Sequence, residues 1–303
     1  MENILTTSNL VKKYHKFTAL DGLSMNVPKG AIYGFVGRNG AGKTTLIRLI
    51  CGLQFATAGT FTLYGTESTG DISKARRRMG AVVETPSIYL DMTAEDNLKE
   101  QYRVLGMPSF KGIPELLKLV GLENTGHKKA RNFSLGMRQR LGIAIALCGD
   151  PDFLLLDEPI NGLDPQGIIE IRELILKLNR ERQITVLISS HILDELSRLA
   201  THYGFIDKGR IVKEISAEQL EKECRKCARV SVSDTKKLAT VLDGVGLEYA
   251  VIDERTADIY GEISITKLTD RLKNAGCELF SINEHDESLE AYFINLVGVS
   301  END

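Results

Sequence analysis

Gly37-Arg38-Asn39-Gly40-Ala41-Gly42-Lys43-Thr44-Thr45 carries the spacing glycine, four residues, Gly-Lys-Thr. A glycine-rich turn of this kind brings backbone N–H groups close to dense negative charge. Side chains at Gly40 and Gly42 would block that approach, and glycine tolerates the backbone angles required. A helix starting near Lys43 adds the positive end of its dipole. Lys43 would then reach the β- and γ-phosphates, and the Thr44 hydroxyl would ligate Mg²⁺. The spacing therefore predicts a nucleoside triphosphate site.

A second stretch offers acid chemistry. Phe153-Leu154-Leu155-Leu156-Asp157-Glu158 is an apolar run that ends in two carboxylates. Such a run fits a central parallel strand buried on both faces. Ligands of open α/β sheets sit beyond the carboxyl ends of the strands, where both the glycine-rich loop and Asp157-Glu158 fall. The two stretches are expected to share one site.

The positioning elements follow in order. Strands are expected over 4–11, 20–27 and 31–36, then the loop and its helix, a turn at 57–60, and strands over 61–65 and 79–84. From 93 to about 147 apolar residues recur at helical spacing, through Leu98, Tyr102, Leu116, Leu117 and 141–147. This reads as an all-helical insert, about 86–149, within an α/β domain spanning 1–215. Helix 166–180, strand 184–190, helix 192–200 and strand 203–207 complete the alternation of an open sheet. After helix 217–224, strands 228–233, 248–252, 257–260 and 278–283 alternate with helices 235–242, 265–275 and 287–296. Residues 216–303 thus read as a small α+β accessory domain, for which a ferredoxin-like arrangement is the candidate.

Composition bounds the function. With 303 residues, 38 basic and 41 acidic, the net charge is -3. That near balance argues against nucleic acid as the main partner. No apolar run reaches about 18 residues, and Met1-Glu2-Asn3 opens no signal peptide. The expectation is a soluble, cytoplasmic chain whose membrane role passes through a partner. The five cysteines are expected as reduced thiols. Cys224-Arg225-Lys226-Cys227 has half of a zinc spacing, without a second pair or a nearby histidine.

Phe133-Ser134-Leu135-Gly136-Met137-Arg138-Gln139-Arg140 resembles the signature motif of ABC ATPases, usually written Leu-Ser-Gly-Gly-Gln. Asp157-Glu158 matches that family's Walker B strand and catalytic carboxylate, Gly162-Leu163-Asp164 its D-loop and His191 its switch histidine. Tyr14 matches the aromatic that stacks on adenine. The resemblance covers roughly residues 3–215 in unbroken order.

The resemblance implies roles. Asp157 would hold Mg²⁺ through water, Glu158 would polarise the attacking water and His191 would contact the γ-phosphate. Ser134 and Gly136 would cap the γ-phosphate bound by a second copy, so that two ATP molecules join two subunits. Two departures stand out. The signature reads Ser-Leu-Gly-Met-Arg, with Arg138 adding positive charge. Glu84 stands where most members carry the Q-loop glutamine, placing a carboxylate beside the metal and tuning its affinity or turnover. Both features, and the run from Asp286 to Phe293, resemble the bacitracin-resistance and bacteriocin-immunity branch of ABC exporters. Residues 85–93, with Ile88, Tyr89, Leu90 and Met92 exposed, would form the groove for a coupling helix of the membrane subunit.

The reading implied is an ATPase at the cytoplasmic face of the membrane, paired with a second ATPase subunit, a copy of itself ahead of a paralogue. It drives a separately encoded permease that exports a peptide antibiotic or similar amphipathic compound. The alternatives are a soluble ABC ATPase of translation or DNA repair, and a nucleotide-binding module that signals without turnover.

Overall fold

A computed structural model describes residues 2–223, 226–261, 263–286 and 289–299. The chain divides into two compact units, Met1–Ala217 and Glu218–Asp303.

In the first unit, β1 (Asn3–Tyr14), β2 (Phe17–Pro28) and β3 (Ile32–Val36) lead into α1 (Lys43–Cys51). Then come β4 (Ala58–Leu63), β5 (Thr66–Glu67), α2 (Ser73–Arg76) and β6 (Met79–Val82). The helical insert holds α3 (Ala94–Val104), α4 (Ile113–Leu119) and α5 (Leu135–Leu147), joined by two short 3-10 turns. The chain returns through β7 (Phe153–Asp157), α6 (Pro165–Arg182), β8 (Thr185–Ser190), α7 (Leu193–Ser197), β9 (His202–Asp207) and β10 (Arg210–Ser216).

Six strands form the central sheet in the order β10-β9-β3-β8-β7-β6. All neighbours in it are parallel except β10, which runs antiparallel to β9. Every residue of β3, β7 and β8 is buried, which is why these strands read as continuous apolar runs rather than alternating ones. A second, antiparallel sheet has the order β2-β1-β4-β5. One core joins the two sheets through α1, with Leu10, Met25, Phe35, Ile47, Phe153 and Leu187 all within it. Truncating Phe35 or Phe153 to alanine would cost about 3–5 kcal/mol.

Helix α5 docks the insert onto this core by close approach. A Cβ on Gly80 of β6 would lie 2.3 Å from the Ala146 carbonyl oxygen, and one on Gly142 would lie 2.6 Å from Pro86 Cβ. Glycine is required at both places so that helix and core can touch.

Three local expectations change. The turn expected at 57–60 is strand from Ala58 on: Gly59 (φ +76°) lies opposite a bulge at Asn9-Leu10 of β1, where a Cβ would meet the Asn9 carbonyl at 2.1 Å. The helix expected over 192–200 shortens to α7. Strand β10 was not anticipated, because Arg210, Lys213 and Glu214 break its apolar residues into short pieces, as suits an edge strand.

In the second unit, α8 (Ala217–Glu223) precedes β11 (Lys226–Val232), α9 (Thr235–Asp243), β12 (Tyr249–Val251), β13 (Thr256–Tyr260), α10 (Ile265–Asn274), β14 (Leu279–Asp286) and α11 (Leu289–Val299). The sheet order β12-β13-β11-β14, wholly antiparallel, with α9 and α10 as crossovers, is the ferredoxin-like βαββαβ arrangement. Val230, Val232, Leu238, Leu242, Ile259 and Leu272 form its separate core. Within the terminal run from Asp286 to Phe293, Glu287 and Ser288 lie outside the described residues. Among the described residues no helix is long and apolar enough to cross a membrane.

Candidate functional site

The loop between β3 and α1 folds around its own lysine. Lys43, the first residue of α1, is only 6% exposed, and its Nζ donates to the carbonyls of Gly37 at 2.7 Å and Arg38 at 3.3 Å. Gly42, the N-cap, sits at φ +113°, where a Cβ would also strike the Ala19 carbonyl of β2 at 2.6 Å. That glycine is thus demanded by the neighbouring strand as well as by any phosphate. No side chain caps α1, so its first-turn N–H groups face a pocket of about 260 Å³. Asn39, Gly40, Lys43, Thr44, Thr45 and Glu158 line it. Gly37 is buried beneath the loop, whereas Arg38 is exposed at its rim and Ala41 packs into the core.

The two carboxylates after β7 have different surroundings. Asp157 is 1% exposed, and its Oδ1 accepts from the Ser189 hydroxyl at 2.6 Å. Its other oxygen, Oδ2, is buried and has no hydrogen-bond partner. Leaving such an acceptor unpaired costs about 1–3 kcal/mol, more for a charged group, so the position calls for a donor or a cation. Glu158 adopts φ +50°, the left-handed region that non-glycine residues rarely occupy. Its N–H donates to both the carbonyl of Ser189 at 3.1 Å and the Ser189 hydroxyl at 3.0 Å. The turn swings the Glu158 carboxylate onto Lys43, with Oε1 3.2 Å from Nζ. Oε2 lies 2.8 Å from Nδ1 of His191, which assigns that ring proton to Nδ1. Lys43, Thr44, Asp157, Glu158 and His191 therefore come together at the carboxyl ends of β3, β7 and β8.

Other sequence-predicted residues lie elsewhere, and none of them lines this pocket. Glu84 (φ +59°) turns outward and pairs with Arg48 at 2.5 Å, at a separate cleft of about 430 Å³ between α1 and α5. Arg48, which holds that carboxylate, lies one helical turn beyond Thr44 in α1. The Tyr14 hydroxyl bonds to Gln54, and Lys12 Nζ sits 5.0 Å from its ring centre. Phe17, directly across the β1–β2 hairpin from Tyr14, is 59% exposed and does line the pocket. Ser134 caps α5, accepting from Met137 N–H at 3.2 Å, and Asp164 caps α6, accepting from Gly167 N–H at 3.0 Å. Gly136 lies beside α6, where a Cβ on it would make only ordinary contact with Gly167 at 3.7 Å. Arg138 folds back to donate to the Arg131 carbonyl at 2.7 Å rather than standing free.

Sequence reasoning missed Ser189, Phe17 and Asn161, which lies three residues after Glu158 and also lines the pocket. Only Ser189 left a signal, a hydroxyl at the end of an otherwise apolar strand. Of the segment after Glu84, Tyr89 (57%) and Leu90 are exposed, whereas Ile88 and Met92 are half-buried. Of the half zinc motif, Cys224 and Arg225 lie outside the described residues, and Cys227 is buried. Among the described residues no group of histidine, cysteine and carboxylate ligands could hold a metal by itself.

Known proteins resemble this chain over most of its length. The family model described as ABC transporter matches residues 20–161. The chain is 40% identical over 301 residues to the bacitracin transport ATP-binding protein BcrA of Bacillus licheniformis, covering 98% of each. It is 44% identical over 212 residues to the lantibiotic transport ATP-binding protein SrtF of Streptococcus pyogenes, 70% of this chain and 90% of that one. Among solved structures, cbiO1 of Clostridium perfringens, part of the ABC transporter complex cbiONQ, superposes with a TM-score of 0.66 at 26% identity, covering 74% and 92% of the two chains. The ATP-binding cassette MJ0796, a dimer in a post-hydrolysis state bound to ADP and Pi, gives 0.63 at 25% identity, covering 70% and 98%.

Proposed function

The chain belongs to the family of ABC transporter ATP-binding subunits, which hydrolyse ATP, and from that premise we propose that it works as a pair of copies around two Mg-ATP. The pair would drive a separate membrane permease that exports a peptide antibiotic or a similar amphipathic compound. The observation that carries this reading is the convergence of Lys43, Glu158 and His191 beside the buried, unpaired Asp157 Oδ2.

The site residues fit Mg²⁺ bound together with nucleotide. The Thr44 hydroxyl and Asp157 Oδ2, the latter through water, would hold the ion, with phosphate oxygens and water completing its shell. When bound, it neutralises charge that builds on the β- and γ-phosphate oxygens. Lys43 exchanges Glu158 for those phosphates. Glu158, released, accepts the proton of the water whose oxygen attacks the γ-phosphorus as the bond to the β-bridging oxygen breaks. His191, through its hydrogen bond to Oε2, orients that carboxylate and reaches toward the γ-phosphate. Gly37, Arg38, Asn39, Gly40, Ala41, Gly42 and Thr45 form the backbone cradle. Tyr14 at the hairpin end, with Phe17, would contact the base.

Ser134 and Gly136 at the start of α5, and Asp164 at the start of α6, would meet the nucleotide of the second copy. The dimer of MJ0796 supports that arrangement, and the bacitracin transport role of BcrA, matched over 98% of its length and so including the second unit, supports the export reading. The permease would hold the chain at the cytoplasmic face of the membrane, with no nucleic acid partner. The test is steady-state phosphate release by the purified chain, together with the sensitivity of a host lacking it to peptide antibiotics. Mg²⁺-dependent release and raised sensitivity are expected. Nucleotide binding without turnover would favour a signalling module.

A further inference from the structure

Ser189 lies at the carboxyl end of β8, in register with Asp157 of β7 on one side and Phe35 of β3 on the other. It is fully buried. A serine hydroxyl has one proton to donate and two lone pairs to accept with. Here the proton goes to Asp157 Oδ1 at 2.6 Å, and one lone pair takes the Glu158 N–H at 3.0 Å. One hydroxyl therefore ties together the two acidic residues that the site needs, and it does so from a different strand.

Two consequences follow from those contacts. With Oδ1 held, the Asp157 carboxylate cannot rotate about its terminal bond, and Oδ2 is left as its one unpaired acceptor. The hydroxyl also shares the Glu158 N–H with the Ser189 carbonyl, at 3.1 Å, and so helps hold Glu158 in its left-handed turn. Without that turn the Glu158 carboxylate would not face Lys43 and His191.

We propose that Ser189 is a positioning residue that aims Asp157 Oδ2 at the metal of bound Mg-ATP while fixing the turn at Glu158. This rests on the ATPase reading above. Outer-shell partners of this kind typically change metal affinity about 10-fold to 100-fold when removed. Ser189→Ala removes the hydroxyl but keeps the backbone carbonyl bond to Glu158 N–H, so the turn has a remaining anchor. Ser189→Thr restores the hydroxyl at the same position.

The test measures ATP binding by full-length chains carrying Glu158→Gln, which stops turnover, once in EDTA and once against a Mn²⁺ titration read by electron paramagnetic resonance. For Ser189→Ala we expect ATP affinity in EDTA within twofold of the parent and Mn²⁺ affinity of the ATP complex weakened about tenfold. Ser189→Thr should recover most of the loss. An equal fall in ATP affinity in EDTA and in Mn²⁺ would show a merely structural role and overturn the proposal. So would an unchanged Mn²⁺ titration, with the ATPase reading intact. If the parent itself binds no ATP, the ATPase reading fails and this proposal with it, a result distinct from the other two.

Discussion

Lys43 and Glu158 face each other across the phosphate pocket, with Nζ 3.2 Å from Oε1. The same carboxylate that would accept the water's proton thus occupies the lysine that must meet the phosphates. Binding has to part the pair. Glu158→Gln removes the competing charge, so ATP should bind at least as tightly as to the parent while phosphate release falls about 100-fold or more. Equilibrium binding of a fluorescent ATP analogue and single-turnover hydrolysis check the two halves. Weaker binding together with lost turnover would mean that Glu158 holds the pocket together rather than competing for it.

Ser134 makes a local bond that needs no second subunit, to Met137 N–H. Losing that cap in Ser134→Ala should cost about 1 kcal/mol of stability. A role toward the other copy's nucleotide predicts more. In a Glu158→Gln background, light scattering should show ATP-dependent dimers for the parent and monomers for the Ser134→Ala chain, with ATP affinity of the monomer unchanged. Dimers of equal stability in both would reduce Ser134 to a helix cap.

The Arg48–Glu84 pair bears on an unusual residue type. Both side chains are at least a third exposed, so the pair contributes at most about 1 kcal/mol. A carboxylate that stays on Arg48 predicts that Glu84→Gln leaves the Mg²⁺ titration of ATPase activity unchanged. A shifted titration would show that the carboxylate leaves Arg48 for the metal during turnover.

Burial pushes the thiols of Cys51 and Cys148 up to about 12. Both should resist iodoacetamide in the folded chain at pH 8 and react on unfolding, as mass spectrometry of the alkylated peptides would record. The sign for stability is also set. Above about pH 9 an unfolded chain releases protons that the folded one retains, so these groups lower stability as pH rises toward 12. Rapid alkylation of either residue under native conditions would contradict their packing.

What could be read from the chain divides by the range of the interactions. The loop from Gly37 to Thr45 and the run into Asp157 are local patterns: glycine spacing, a lysine at a helix start, apolar residues bounded by charge. Their meeting at the carboxyl ends of the central strands followed from the rule for open α/β sheets. Contacts between distant strands left no such trace. The Ser189 hydroxyl joins Asp157 and Glu158 across 32 and 31 residues of sequence, and the hydroxyl at the end of its strand names neither partner. Glu84 shows the same limit. Its place in the motif order pointed to the metal, but Arg48, 36 residues earlier, decides where its carboxylate rests. Strand β10 escaped notice because an edge strand is polar for good reason.

The central claim is that the chain powers a permease. The most direct measurement is affinity capture of the tagged chain from detergent-solubilised membranes of its host, with Tyr89→Ala in parallel, since Tyr89 stands exposed on the segment that follows the cleft. The account predicts a stoichiometric polytopic membrane protein with the parent chain and much less of it with Tyr89→Ala. Recovery from the soluble fraction alone, with ribosomes or nucleic acid attached, would contradict it.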